Sequence, residues 1–142
     1  MRYEDWPQRL AMAIETAQTR SFAYGGLAGT QDCALFAADC VAAITAVDYA
    51  AELRGYATRR GAYEIVARYG SLGAMATALL KREPIHPALA QRGDVVLATL
   101  ALVDGEEGET LGICLGVYCA YPDVVGVQLR PRAEASLAWR ID

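Results

Sequence analysis

The sequence predicts a single α+β domain, with N-terminal helices packed on a C-terminal antiparallel sheet of about four or five strands. Apolar residues recur at helical spacing through the first two-thirds of the chain. The last third consists of short runs with high strand propensity. The chain has 142 residues, the size of one domain, and neither a repeat nor a low-complexity linker divides it. We therefore expect residues 1–142 to fold as one unit.

The helical segments have clear start signals. Asp5-Trp6-Pro7 places a proline in the first turn of a predicted first helix. An aperiodic, glycine-rich loop follows over residues 21–31, and Asp32 is then a good N-cap for a second helix. Shorter helices are predicted over residues 62–69 and 74–80.

The strand signals begin after residues 84–87, whose two prolines prevent a helix from continuing. A polar turn at 104–108 separates the first two predicted strands and makes them a hairpin. The predicted strands cover residues 95–103, 111–118, 118–121, 124–129 and 138–141.

Charge and hydropathy exclude several classes of partner. The net charge is −4 and the arginines are scattered, so the sequence carries no electrostatic footprint for nucleic acid. The N-terminus lacks the apolar core of a secretory signal, and no apolar run reaches the ~18 residues of a membrane span. We expect a protein that is cytoplasmic when made.

Four cysteines raise the question of a metal or disulfide site. Cys33 and Cys40, on one helix, would lie roughly 10 Å apart, too far for a disulfide or a shared zinc ion. Cys114 and Cys119 would also be separated unless a tight turn intervenes, and they lack the two-residue gap of thioredoxin-like sites. The acidic turn at 104–109 does not have calcium-loop spacing. We therefore predict no metal or cofactor, and expect three of the cysteines to be buried small hydrophobes.

Cys33 is the one candidate for chemistry. A cysteine in the first turn of a helix faces the helix dipole and unpaired N–H groups, which favour the thiolate and lower the thiol pKa. Asp32 could cap the helix or oppose that thiolate with its own charge. The alternative is that Cys33 is only the first core residue of an amphipathic helix.

The order of short motifs resembles the NlpC-type cysteine peptidases of the papain-like superfamily. These motifs are an aromatic-glycine loop, Asp32-Cys33-Ala34-Leu35-Phe36, Arg92-Gly93-Asp94-Val95-Val96 and Leu111-Gly112-Ile113-Cys114-Leu115-Gly116. Together with Trp6, Tyr24-Gly25, Asp39, Arg54-Gly55-Tyr56 and Ala138-Trp139-Arg140-Ile141, they resemble more closely an uncharacterised family encoded among phage and prophage tail genes.

The resemblance implies that Cys33 occupies the nucleophile position. A thiol nucleophile needs an imidazole to accept its proton, but Thr110 or its neighbour Glu109 occupies the expected position of the base. Threonine cannot act as a base near neutral pH. The only histidine, His86, precedes the first strand, so a loop or surface role is favoured over that of a relocated base.

Two functional hypotheses follow from the resemblance. The favoured one is a tail-associated structural or assembly protein, without catalysis, that contacts other phage tail proteins and reaches the virion tail. Tyr24, Leu27, Tyr69 and Tyr118 are candidate contact residues. The alternative is a cysteine hydrolase acting on peptidoglycan, with Cys33 as nucleophile and His86 as a candidate base.

Overall fold

A computed structural model describes residues 1–142 and confirms the α+β class. The four helices precede the strands, as predicted. They are α1 (Trp6–Ala17), α2 (Cys33–Thr45), α3 (Arg59–Tyr69) and α4 (Leu72–Leu80). The strands are β1 (Val95–Ala101), β2 (Glu107–Cys114), β3 (Tyr118–Pro122), β4 (Val127–Pro131) and β5 (Ala135–Trp139). None of the helices is both long and apolar enough to cross a membrane.

The five strands form one antiparallel sheet in the order β4-β3-β2-β1-β5. The first four strands follow one another as hairpins, and β5 returns to pair with the free edge of β1. Val95 therefore lies between Ile113 on β2 and Trp139 on β5. This topology places β2 near the middle of the sheet, where α2 packs against it.

Alternate residues of the sheet face two separate cores. Leu97, Leu111, Ile113 and Trp139 join the main core beneath the helices. Val96, Cys114, Cys119 and Tyr121 belong to a second core on the other face, which includes Ala90 from the segment before β1. The period of two along each strand thus buries both faces.

Helix α2 is the central helix of the main core. Its buried residues are Leu35, Phe36, Ala37, Ala38, Cys40, Val41 and Ile44. Asp32 caps its N-terminus by accepting a hydrogen bond from the Leu35 amide at 2.9 Å, as the sequence predicts. Ala46 ends the helix in the left-handed conformation.

A fully buried carboxylate, Asp94, ties both ends of the chain to β1. It accepts hydrogen bonds from Arg2 and Arg140, each at 3.1 Å, and from the backbone amide of Ile141 at 2.9 Å. The Gln91 amide donates a fourth bond at 2.8 Å. This buried charge is therefore both paired and hydrogen-bonded.

The strand boundaries differ from the prediction. Strand β2 begins at Glu107, inside the predicted turn, and ends at Cys114 instead of 118. It ends early because the Leu115 amide donates to the Tyr118 carbonyl at 2.8 Å, which closes a tight turn. Strands β4 and β5 are also displaced along the chain, since strand propensity alone does not fix where pairing begins.

Replacing Asp94 with Ala should lower the free energy of unfolding by about 3 to 5 kcal/mol, because it leaves two arginines without their buried partner. Chemical denaturation monitored by circular dichroism would measure the change. Glu64→Ala is a control, since Glu64 belongs to an exposed Arg60–Glu64 pair on α3 and should contribute little. Equal effects of the two substitutions would contradict the role assigned to Asp94.

Candidate functional site

Cys33 opens onto a groove of about 810 Å³, here called the Cys33 groove. The groove runs between the loop before α2, helix α3 and the β1–β2 hairpin, and its lining includes Tyr24, Tyr56, Tyr63, Val66, Leu102 and Thr110. Cys33 is the first residue of α2 and is half-buried against the main core. Cys33 is thus partly exposed as a residue, while its sulfur is desolvated.

Asp32 holds the elements around Cys33 together. Its buried carboxylate accepts hydrogen bonds from Leu35 on α2, from the Gly25 amide at 3.0 Å and from the Tyr56 hydroxyl. Gly25 is required here on two grounds, since its φ is +93° and a Cβ would collide with the Tyr56 carbonyl oxygen. Three segments distant in sequence therefore meet at one carboxylate.

The Cys33 thiol contacts Thr110 and Leu111 on β2. The Thr110 hydroxyl, which donates to the Leu111 carbonyl at 3.4 Å, and the Leu111 backbone lie beside the sulfur and favour its thiolate. Burial and the charge of Asp32 outweigh these contacts and raise the pKa of Cys33 above its usual value. The expectation of a lowered pKa was wrong because desolvation of the sulfur exceeds the effect of the helix N-terminus.

The register of β2 decides which residue stands at the expected base position. Thr110 is buried and touches Cys33, whereas its neighbour Glu109 is exposed on the same strand. Of these two residues, Thr110 is therefore the one beside the sulfur. A hydroxyl contacts the sulfur, and a hydroxyl does not accept a proton at neutral pH.

His86 is not brought to Cys33. It lines a different cavity, of about 590 Å³, together with Pro131 and Ser136. Its Nδ1 accepts a hydrogen bond from the Ala88 amide at 3.1 Å, which caps the short 3-10 helix Pro87–Leu89. The structure therefore assigns His86 the loop role that its flanking prolines favoured.

Arg59 links the two walls of the Cys33 groove. From α3 it pairs with Asp104 at 2.9 Å and with Glu106 at 3.5 Å, both at the tip of the β1–β2 hairpin. Tyr63 on the same helix lies edge-on to Tyr24, with ring centroids 6.4 Å apart. Burial and Tyr63 raise the pKa of Tyr24 to about 12, so its hydroxyl stays neutral.

Sequence reasoning did not select Tyr56 or Arg59 as site residues. Tyr56 belongs to the Arg54-Gly55-Tyr56 motif, but nothing in the sequence indicates that its hydroxyl reaches Asp32. Arg59 directly follows Thr58, the N-cap of α3. Only the folded chain shows that this helix start faces the hairpin tip.

The other candidate residues divide by burial. Cys40, Cys114 and Cys119 are buried free thiols, as predicted for three of the four cysteines. Leu27 and Tyr118 are exposed, whereas Tyr24 and Tyr69 are half-buried and pack within the structure. The fold gathers no three His, Cys, Asp or Glu side chains in a metal-binding cluster.

Taken together, the groups around the Cys33 thiol do not favour its ionisation. The sulfur is protonated at neutral pH, and its contacts are a hydroxyl and a backbone amide. The nearest carboxylate, Asp32, already accepts three hydrogen bonds and raises the pKa of the thiol it would have to deprotonate.

Comparison with known proteins identifies one family. Residues 1–141 match a protein-family model described as "Domain of unknown function (DUF6950)". No curated protein matches the chain.

Replacing Asp32 with Asn should speed alkylation of Cys33 by iodoacetamide at pH 8 on the order of tenfold. Removing the negative charge lowers the raised pKa of the thiol and so increases the thiolate fraction at that pH, while Asn still caps the helix. Mass spectrometry of the modified peptide over a range of pH would measure the rate.

Asp39→Asn is the matched control, because Asp39 lies on the same helix but pairs with Arg20 and Arg54 instead of contacting Cys33. It should leave the alkylation rate of Cys33 unchanged. A rate in Asp32→Asn that equals the wild-type rate would show that Asp32 does not suppress the thiolate.

Proposed function

The chain belongs to the DUF6950 family, and we propose that it is a phage or prophage tail protein that binds other tail proteins on a catalytically inactive, NlpC-type papain-like scaffold. One observation carries this proposal: Cys33 opens onto a large groove, while Thr110 stands where a base would have to contact it. The groove can receive a ligand that the thiol cannot cleave.

The dimensions and lining of the Cys33 groove support a binding role. At about 810 Å³ it falls in the size range of ligand-binding clefts. Tyrosines 24, 56 and 63 provide rigid aromatic surface with hydroxyls for hydrogen bonding. The Arg59–Asp104 pair between the groove walls sets the separation of α3 and the hairpin.

The absence of an imidazole at the thiol supports a role without hydrolysis. Hydrolysis by a cysteine enzyme needs a proton acceptor for the thiol and a donor for the leaving amine. His86 lines a separate cavity, so it serves neither purpose in this fold. We expect the protein to be made in the cytoplasm and carried into the tail.

A cysteine hydrolase acting on peptidoglycan is the second candidate function. It is favoured by the half-buried position of Cys33 at a helix N-terminus, where the Leu111 backbone favours the thiolate. A ligand that brought its own base could activate such a thiol. The two functions differ in whether they need the sulfur atom, which a single substitution removes.

In a prophage that encodes this chain, Cys33→Ala should support the same yield of infectious particles as the wild type. Ala62→Trp should reduce that yield roughly tenfold or more, because a large side chain on α3 would fill the Cys33 groove. Plaque counts and electron microscopy of tails would measure both effects.

Ala11→Trp provides the control for bulk, since Ala11 is exposed on α1 and does not line the groove. It should leave the yield unchanged. Loss of particles in Cys33→Ala with release of peptide from peptidoglycan by the wild type would instead establish the hydrolase.

Thr110→His would test whether the lack of a neighbouring base is what keeps the Cys33 thiol unreactive. An imidazole at this position should form an ion pair with the thiolate and raise the alkylation rate of Cys33 at pH 6.5 by about tenfold or more. The control is Glu109→His on the exposed neighbouring position, which should have little effect. Equal rates in both variants would mean that residue 110 does not face the sulfur as described.

A further inference from the structure

Cys114 and Cys119 lie directly opposite each other on strands β2 and β3. The tight turn at residues 115–117 brings them together, which their five-residue spacing did not indicate. Both side chains are buried in the second core, where the Cys114 Sγ–H donates to the Gly116 carbonyl at 3.4 Å, and no disulfide joins them. The tight turn that the sequence analysis left open is therefore present, and it places the two cysteines side by side.

The backbone hydrogen bonds show which of the two kinds of antiparallel cross-strand pair these cysteines form. The Cys114 amide donates to the backbone carbonyl of Asp94 at 2.8 Å, and the Cys114 carbonyl accepts from the Gly93 amide at 2.8 Å. Both groups of Cys114 therefore point toward β1 and away from β3. Cys114 and Cys119 thus form a non-hydrogen-bonded pair, in which Cα atoms lie about 4.5 Å apart. That separation falls within the range of protein disulfides.

The surroundings of the pair favour one of the two thiolates. The neighbouring Cys119 thiol, aided by the Gly116 backbone and the charge of Arg132, lowers the pKa of Cys114 to about 7 despite burial. The same contact and burial raise the pKa of Cys119. The two thiols are therefore unequal, with Cys114 the better attacking group at neutral pH.

We propose that Cys114 and Cys119 are a redox site that forms a reversible cross-strand disulfide by exchange with a small external disulfide such as oxidised glutathione. The Cys114 thiolate attacks one sulfur of that disulfide, breaks its S–S bond and expels the first thiolate, which takes up a proton. The Cys119 thiol then loses its proton, attacks the Cys114 sulfur and expels the second thiol. Two protein thiols are oxidised while one external disulfide is reduced to two thiols.

Access to the pair requires a local opening, because neither side chain is exposed to solvent. The turn beside it carries Val117, which is exposed, and β3 has only five residues. Opening of this hairpin end would admit the oxidant without unfolding the main core, on which Cys114 and Cys119 do not pack. This site is independent of the Cys33 groove and of any function proposed for it.

The test is to incubate the folded protein with increasing ratios of oxidised to reduced glutathione, block free thiols and map peptides without reduction. The expected product is a peptide pair joined through Cys114 and Cys119, lighter by two hydrogens, whose formation reverses when reduced glutathione is added. The oxidised protein should also have a higher melting temperature, because the bond constrains the unfolded chain.

Three variants locate the bond. Cys114→Ala and Cys119→Ala should abolish the linked peptides, whereas Cys40→Ala, which removes a buried thiol far along the sequence on α2, should not. The proposal is overturned if both thiols of the wild type stay free until global unfolding. It is also overturned if glutathione remains attached to Cys114, or if the disulfide that forms involves Cys33 or Cys40. All three of these outcomes can be observed with the wild-type protein alone.

Discussion

The buried carboxylate of Asp32 is the interaction on which the candidate site depends. It joins the start of α2, the loop at Gly25 and the hydroxyl of Tyr56, so the three parts of the chain that frame Cys33 meet there. A buried charge persists only when such donors satisfy it. The same charge lies beside the thiol and raises its pKa. The contact that builds the site therefore also keeps its sulfur protonated.

The motifs that resemble NlpC-type peptidases coincide with structural joints of this fold. Asp39 on α2 pairs with Arg54 at 2.8 Å, next to the bond between Asp32 and Tyr56, so two contacts hold the segment before α3 to the central helix. Asp94 is bound in turn by Arg140 near the C-terminus. These residues therefore serve to assemble the chain.

Strand β2 connects the two chemically distinct parts of the molecule. At one end the backbone of Leu111 and the hydroxyl of Thr110 lie beside the Cys33 thiol, and the Leu111 side chain joins the main core. At the other end Cys114 faces Cys119 in the second core. The helical face thus presents a groove to solvent, while the opposite face encloses a thiol pair. One strand can serve both because Leu111 and Cys114, three residues apart, point to opposite faces of the sheet.

The sequence by itself determined the features that depend on neighbouring residues: the α+β class, the start of α1 at Trp6, the cap of α2 at Asp32 and the burial of Cys40. Capping and periodicity act within one or two turns of chain, so local residues suffice to predict them. Only the tertiary structure decided that Thr110 and not Glu109 lies beside Cys33, and that Tyr56 reaches Asp32. It also decided that His86 lines another cavity and that Cys114 pairs with Cys119. Each of these depends on strand register or on a contact between distant segments, and a shift of one residue in a strand exchanges the faces of every side chain along it.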